Sequence, residues 1–224
     1  VQCLNDYDVP LYLSHTIVAI EGRDRVTGVR VAKVDDRMQP LPETEFTIAC
    51  DTVLLSVGLI PENELSRALG VELHPRTGGP VVDQYRETSR PGVFAAGNVV
   101  HVHDLVDFVS EEAEIAGKYA AFTAQGERHE ERRFVRVLPG SGINTCVPQR
   151  LCLIEEEPPI RLLLRAARPM RQATLTVSGA EGVLFTKQLA VVKPSEMIAA
   201  DMNGVRLGDL TDDVTVSIEE GTRG

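Results

Sequence analysis

The sequence has no excess of positive charge and no long apolar run. Of its 224 residues, 23 are Lys or Arg and 33 are Asp or Glu, which gives a formal net charge of −10. Because nucleic-acid-binding proteins carry a basic patch or stripe, this balance argues against a nucleic-acid partner. No apolar run has the roughly 20 residues that a transmembrane helix needs. The composition therefore predicts a globular protein without a membrane span.

Closely spaced cysteine pairs are also missing. The four cysteines, Cys3, Cys50, Cys146 and Cys152, are scattered, and none belongs to a Cys-x-x-Cys pair. This spacing argues against a zinc knuckle and against a local redox dithiol. We therefore expect reduced, structural thiols and a cytoplasmic location. The chain opens at Val1 instead of Met, which predicts a fragment of a longer protein, with a processed or trimmed chain as the alternative.

The first half of the sequence carries alternating strand and helix signals. Two β-like stretches, VPLYLSHTIVAIEG and RVTGVRVAKV, are predicted to form a hairpin with a tight polar turn at residues 22–25, and FTIACDTVLLSVG follows them. Residues 52–57 are nearly all apolar, as in a strand that is covered on both faces of a parallel sheet. PENELSRALG is predicted to be a short helix with Asn63 as its cap. This order of elements indicates an α/β fold.

Two further strands and a long helix follow in the pattern. GPVVDQY and GVFAAGN are predicted to be short strands. From Leu105 the apolar positions recur at 105, 109, 113, 116 and 120, which is helical spacing. Asp107 or Ser110 is the predicted cap of this helix. Glu111 and Glu112 are expected in its first turn, where acidic residues are favoured.

The last third of the sequence has a different texture. The charged segment AQGERHEERR predicts a linker, placed at residues 126–133. Residues 134–224 then contain about seven short β-like runs separated by Pro, Gly and acidic turns. Such a series is typical of a small antiparallel β-sandwich. The predicted fold is thus an α/β region followed by a small all-β, sandwich-like domain.

Two segments of the α/β region resemble motifs of a known family. SVGLIPEN begins at Ser56, and TSRPGVFAAGN begins at Thr88. They resemble the pyridine nucleotide–disulfide oxidoreductases, flavoproteins with two dinucleotide-binding domains. Members carry Ala/Ser-x-Gly-x-x-Pro-Asn between these domains and Thr-x-x-Pro-Gly-(Ile/Val)-Phe-Ala-Ala-Gly-Asp at the flavin. The sequence departs from the first motif at Glu62 and from the second at Asn98, where the family has Asp.

The resemblance implies a partial two-dinucleotide-binding, Rossmann-like region. Residues 1–58 would be the C-terminal part of an NAD(P)-binding domain, and residues 59–125 the C-terminal part of an FAD-binding domain. The Gly-x-Gly-x-x-Gly fingerprints that bind the phosphates in this family do not occur in the sequence. Alone, the chain would hardly hold either cofactor, FAD or NAD(P)H.

The family also implies which residues contact the cofactors. Asn98 can still accept or donate a hydrogen bond to a ribityl hydroxyl, without the strength that a carboxylate charge adds. The N-terminus of the following helix would face the N1–C2=O edge of the flavin and stabilise its negative charge on reduction. The implied FAD contacts are Ala96, Gly97, Asn98, Val109, Ser110 and Glu111, and the implied junction residues are Gly58 and Pro61.

The loop between the second motif and the helix contains His101, His103 and Asp104. One of them is a candidate proton donor or substrate contact near the flavin. A His-x-His pair with Asp is also a possible ligand set, but no further ligand cluster supports a metal, and none is predicted. The favoured interpretation is that these are solvated loop histidines.

Three hypotheses for function follow. The first is part of an FAD-dependent NAD(P)H oxidoreductase that passes electrons to a redox partner protein or a small acceptor, in a homo- or hetero-oligomer. The second is a thioredoxin-reductase-like disulfide reductase, which requires an upstream Cys-x-x-Cys. The third is a non-enzymatic β-sandwich interaction module on a degenerate nucleotide-binding remnant. The β-rich tail resembles flavin-dependent oxidoreductases associated with anaerobic glycerol-3-phosphate dehydrogenase operons.

Overall fold

The computed structural model describes residues 2–126, 132–153 and 160–221. It divides into two compact units, residues 1–58 and 59–224. Most of the predicted linker lies outside the described residues, so the linker and the domain boundary that it marks remain predictions. No helix of the described ranges is both long and apolar enough to cross a membrane.

Unit 1 contains a three-stranded antiparallel sheet in the order β1-β2-β3. Its elements are α1 (Gln2–Asp6), β1 (His15–Glu21), β2 (Gly28–Lys33) and β3 (Phe46–Ala49). The small core of the unit lies on the central strand, where Val29, Val31 and Ala32 are buried. The β1–β2 hairpin was predicted from the sequence, whereas α1 was not.

The prediction of a buried parallel strand at residues 52–57 is wrong for this structure. The strand β3 ends at Ala49, and the following apolar residues are irregular and mostly exposed. A strand needs neighbours for its backbone N–H and C=O groups. Within the described ranges, residues 52–57 pair with no other strand, so their apolar pattern has nothing to pack against.

Unit 2 begins with a helical and irregular region, residues 59–126. Its helices are α2 (Glu64–Ala68) and α3 (Val106–Ala124), with a 3-10 turn at Gly97–Val99. The two strands predicted between the helices are only isolated bridges, Leu73 with Pro80, Val82 with Thr88, and Glu87 with Phe94. Turns, single bridges and side-chain contacts stabilise this region, which has no continuous β-ladder among its described residues.

The start of α3 was placed too late in the sequence. The helix begins at Val106, with Leu105 at the N-cap position and no capping bond from that side chain. Asp107 is the acidic residue of the first turn, and Glu111 and Glu112 lie beyond it. The predicted caps, Asp107 and Ser110, are therefore inside the helix. An unrecognised cap explains the error, because Leu is not a capping residue.

The rest of unit 2 is β-rich. Two sheets share one hydrophobic core: a three-stranded sheet in the order β10-β7-β5 and a five-stranded sheet in the order β6-β4-β11-β8-β9. The pairing is antiparallel except between β4 and β11, which are parallel. The strands are β4 (Arg133–Pro139), β5 (Ile143–Val147), β6 (Arg150–Leu153), β7 (Ile160–Ala166), β8 (Met170–Gly179), β9 (Gly182–Val192), β10 (Ile198–Met202) and β11 (Val214–Glu220).

This arrangement agrees with the predicted all-β domain and corrects two details. The strand β5 was not predicted, and the sheet is not wholly antiparallel. The combination of a partial nucleotide-binding region and a β domain is the predicted fold class. Cys146 and Cys152 are buried and carry free thiols, as expected.

Two buried glutamines join the helical region of unit 2 to its β strands. The Gln84 side chain donates to the Cys152 carbonyl and accepts from the Cys152 N–H, both at 2.8 Å. The Gln149 side chain accepts from the Val82 N–H at 2.9 Å, and the Gln149 backbone N–H donates to the Val82 carbonyl. Each glutamine makes the kind of paired hydrogen bonds that a neighbouring strand would make. These bonds fix the region between the helices to the β domain.

Candidate functional site

The second motif forms a tight turn at Ala96, Gly97 and Asn98. Ala96 is extended, and Gly97 has a φ of +75°, a conformation that side chains with a Cβ rarely adopt. A Cβ added at Gly97 would lie 3.1 Å from Cγ1 of Val109 on α3. Glycine is therefore required both by the backbone angle and by the close approach of the helix.

Asn98 lies at the surface of this turn. Its Oδ1 accepts a hydrogen bond from the His103 backbone N–H at 3.1 Å. This bond determines the orientation of the amide, because only the oxygen can accept. Within the described parts of the chain, no group accepts a hydrogen bond from Nδ2. The exposed amide nitrogen is therefore available to donate to a ligand.

The N-terminus of α3 follows the turn. Leu105 and Val106 are exposed, and no described side chain caps the helix. The free N–H groups of an α-helix belong to its first turn, here from Val106 onward. Val109, Ser110 and Glu111 were predicted at the start of the helix, but they lie about one turn inside it. Glu111 Oε2 accepts a hydrogen bond from Arg161 Nη2 at 2.6 Å. The amides that can face a ligand are therefore those of residues before Val109, and the prediction that this end of the helix faces a flavin remains a prediction.

A buried polar cluster lies beneath the turn and consists of Arg86, His101, His103 and Glu112. The Glu112 carboxylate is 3.0 Å from Arg86 Nε, 3.3 Å from His101 Nε2 and 3.0 Å from His103 Nε2. It also accepts the Gly97 N–H at 3.0 Å. The four side chains are at most 6% exposed. We call this group the Glu112 cluster.

The charges of the Glu112 cluster follow from its contacts. Burial by itself raises the pKa of Glu112, but hydrogen bonds from His101 and His103 and the charge of Arg86 outweigh it and hold the pKa well below its usual range. Burial lowers the pKa of His101, against the opposing effect of Glu112. Arg86 and Glu112 therefore form an ion pair, and the lowered pKa of His101 favours a neutral imidazole that donates from Nε2 to the carboxylate.

The interpretation of solvated loop histidines is thus wrong. His101 is buried, and the His103 ring is enclosed by the Glu112 cluster. Asp104, the third candidate, lies apart from them and forms an ion pair with Arg165 at 2.5 Å. It also accepts the Met197 N–H at 2.6 Å. The loop is held between α3 and the β domain of unit 2.

Sequence reasoning missed Arg86 and the role of Glu112. Glu112 lies three residues after Val109 and four before Ala116, on the face of α3 that the apolar pattern predicts to be buried. An acidic residue at a predicted core position is the signal that could have identified it. Arg86 gives no such signal, because it lies in an irregular turn with a φ of +65°.

The donor atoms of His101, His103 and Glu112 all lie within 4.8 Å of one another, which is a possible metal-ligand set. Arg86 already balances the carboxylate, however. A divalent cation would give the buried group a net charge of about +2. The electrostatics therefore favour a hydrogen-bonded cluster over a metal centre.

The first motif contributes a structural contact to the second. Asn63 occupies the N-cap position of α2, but its side chain makes no capping bond to the helix backbone. Its Nδ2 instead donates to the Gly78 and Val99 carbonyls at 3.0 and 2.9 Å. Gly58, at the end of unit 1, has a φ of +88°, and Pro61 is half-buried in unit 2. Asn63 thus supports the turn, a role that the sequence did not predict.

Residues 2–120 match the model of the pyridine nucleotide-disulphide oxidoreductase family. This match covers more than half of the chain. The chain therefore belongs to the pyridine nucleotide-disulphide oxidoreductases, a family of FAD- and NAD(P)-dependent enzymes, which confirms the resemblance. The branch associated with glycerol-3-phosphate dehydrogenase operons remains a prediction.

Curated relatives are similar to part of this chain. An NADH oxidase of Streptococcus pneumoniae is 34% identical over 101 residues, 45% of this chain and 19% of its own length. A nitric oxide reductase FlRd-NAD(+) reductase of Enterobacter is 28% identical over 91 residues, 41% of this chain and 23% of its own. An opine oxidase subunit of Agrobacterium tumefaciens is 26% identical over 187 residues, 81% of this chain and 33% of its own. The chain thus spans between about a fifth and a third of these relatives.

Proposed function

We propose that the chain is the flavin-contacting part of an FAD-dependent NAD(P)H oxidoreductase. The observation that carries this proposal is the turn at Gly97 and Asn98, which presents a free amide nitrogen beside the uncapped start of α3. Membership of the family supplies the cofactors, FAD and NAD(P)H. One relative is an NADH oxidase and another is an NAD(+) reductase, and both support a nicotinamide donor.

The residues of the turn fit FAD. Asn98 Nδ2 can donate to a ribityl hydroxyl, while Oδ1 accepts the His103 N–H. The exposed apolar side chains of Leu105 and Val106 fit the neighbourhood of an aromatic ring system. The free N–H groups of the first turn of α3 can stabilise negative charge. Bound FAD would supply the hydride acceptor for NAD(P)H.

Each part of this site has a separate task. Gly97 forms the turn and lets α3 approach it closely, and Asn98 would orient the cofactor through Nδ2. The free N–H groups at the start of α3 would stabilise negative charge on a bound flavin. Such an enzyme would pass electrons to a redox partner protein or a small acceptor, and we assign it to the cytoplasm on its acidic composition and free buried thiols.

The test is the visible absorption spectrum of the complete protein that contains this chain. We expect flavin bands after purification, which bleach when NADH or NADPH is added without oxygen. A complete protein that shows no flavin bands, even after incubation with FAD, would contradict the proposal. Flavin that neither nucleotide reduces would contradict the NAD(P)H part of it.

A further inference from the structure

Glu112 contacts the turn at Gly97 and the following loop at His103 without reaching the surface. Its Oε2 accepts the Gly97 N–H and pairs with His103 Nε2, each at 3.0 Å. Glu112 is 1% exposed, so it cannot touch a ligand that lies over the turn. One carboxylate oxygen thus holds both the glycine of the turn and the histidine that follows it.

His103 connects this buried carboxylate to Asn98. The His103 ring is hydrogen-bonded through Nε2 to Glu112 Oε2. The backbone N–H of His103 donates to Asn98 Oδ1 at 3.1 Å. Because the ring fixes the position of the residue, its backbone N–H is fixed as well. That N–H occupies the amide oxygen and leaves Nδ2 directed outward. Glu112, His103 and Asn98 form one chain of contacts from the core to the surface.

Arg86 completes the arrangement from the opposite side. It contacts Glu112 Oε1, the oxygen that does not hold the turn, and is itself fully buried. A lone buried carboxylate would be strongly disfavoured, and the ion pair keeps it charged. The charged form has acceptors only, as the N–H of Gly97 and the rings of His101 and His103 require.

We propose that Glu112 is a positioning residue for the cofactor, which acts through His103 to orient Asn98 as a hydrogen-bond donor to a ribityl hydroxyl. This inference rests on the proposed function and deepens it. The family's Asp at the position of Asn98 has no donor in its charged form. The orientation of Asn98 by His103 therefore defines a contact of opposite polarity, in which the protein donates and the cofactor accepts.

The test is a double-mutant cycle on FAD affinity in the complete protein. Replacing Glu112 alone would leave Arg86 buried and unpaired, so the variant is the neutral pair Arg86→Met with Glu112→Leu. It is combined with Asn98→Ala, which removes the amide. Glu114→Gln, on the exposed side of the same helix, is the matched control.

We expect the neutral pair and Asn98→Ala each to weaken FAD binding about tenfold, the equivalent of one hydrogen bond. Because both changes remove the same contact, all three substitutions together should also weaken it about tenfold, and not about a hundredfold. Glu114→Gln should bind FAD like the unaltered protein. A thermal unfolding curve of each apoprotein shows that the variants are folded.

Three results would overturn the role of Glu112. These are unchanged FAD affinity in the neutral pair, independent losses that multiply to about a hundredfold, and stoichiometric metal in the purified protein, which would make Glu112 a ligand. If the unaltered protein binds no FAD, the proposed function itself fails, and the inference fails with it. FAD binding by the unaltered protein therefore distinguishes the two cases: if it binds FAD and the variants give one of these three results, only the role of Glu112 fails.

Discussion

Two apolar runs of similar composition end in opposite environments in this chain. Residues 53–57, VLLSV, are irregular, and Leu54 is 92% exposed. In β7, Leu162, Leu163 and Leu164 are at most 2% exposed. The difference lies in the neighbours, because β7 pairs with β10 on one side and with β5 on the other. An apolar run becomes a buried strand only where partners for its backbone are available.

The sharpest test of this comparison removes one leucine from each run. Leu164→Ala should lower the free energy of unfolding by about 2–5 kcal/mol, because it leaves a cavity in a packed core. Leu54→Ala should change it by less than about 0.5 kcal/mol, as is usual for exposed positions. Urea unfolding of the two variants and the unaltered chain measures both values. An equal loss in both would show that Leu54 is buried in solution.

The same contrast between buried and exposed positions applies to carboxyl groups. Asp83 in unit 2 is fully buried, and burial raises its pKa to about 6 from 3.8. Its Oδ1 accepts the Tyr85 and Glu87 N–H groups, but Oδ2 has no partner among the described residues. Asp51 in unit 1 is exposed beside Arg25.

A raised pKa makes the folded chain bind a proton that the unfolded chain releases. Stability from Asp83 is therefore greatest below about pH 4 and is lost as the pH rises through 6. The loss should amount to about 2–3 kcal/mol between these limits. Asp83→Asn should abolish this part of the pH dependence, measured as the difference from the unaltered chain so that other groups, such as Glu112, cancel. Asp51→Asn should leave the dependence in place, and a pH dependence that Asp83→Asn does not alter would refute the assignment.

Much of the fold was predictable, and the site only in part. The β1–β2 hairpin, α2, α3 and most strands of the β domain are local patterns of period or alternation, which the sequence contains in full. The prediction of a strand at residues 52–57 failed because an apolar pattern indicates burial but does not identify a neighbouring strand to pair with. GVFAAGN failed as a strand because it forms only one isolated bridge among the described residues, between Phe94 and Glu87.

For the site, the motif at residues 88–98 contains the residues of the turn, but a strand and not a turn was predicted there. The Glu112 cluster could not be predicted, because it joins four side chains that are up to 26 residues apart along the chain, from Arg86 to Glu112. His101 and His103 were noticed and interpreted as solvated, since a loop histidine gives no sign of the carboxylate that will cover it. The contacts that form the Glu112 cluster arise only when the chain folds, and the order of residues does not reveal them.

The smallest expected effect concerns ion pairs. Asp104 pairs with Arg165, whose side chain is 18% exposed, and also accepts the Met197 N–H, whereas Asp51 and Arg25 are both more than 70% exposed. Asp104→Asn should lower the free energy of unfolding by about 1 kcal/mol, because it weakens a partly buried pair that fixes the histidine loop to the β domain. Asp51→Asn should cost less than about 0.5 kcal/mol, since exposed pairs are screened by water and salt. Urea unfolding at low and at high salt measures both, and we expect the loss for Asp104→Asn to persist at high salt. If the two losses are equal, or if both vanish with salt, the Asp104 pair behaves as a surface pair and does not anchor the loop.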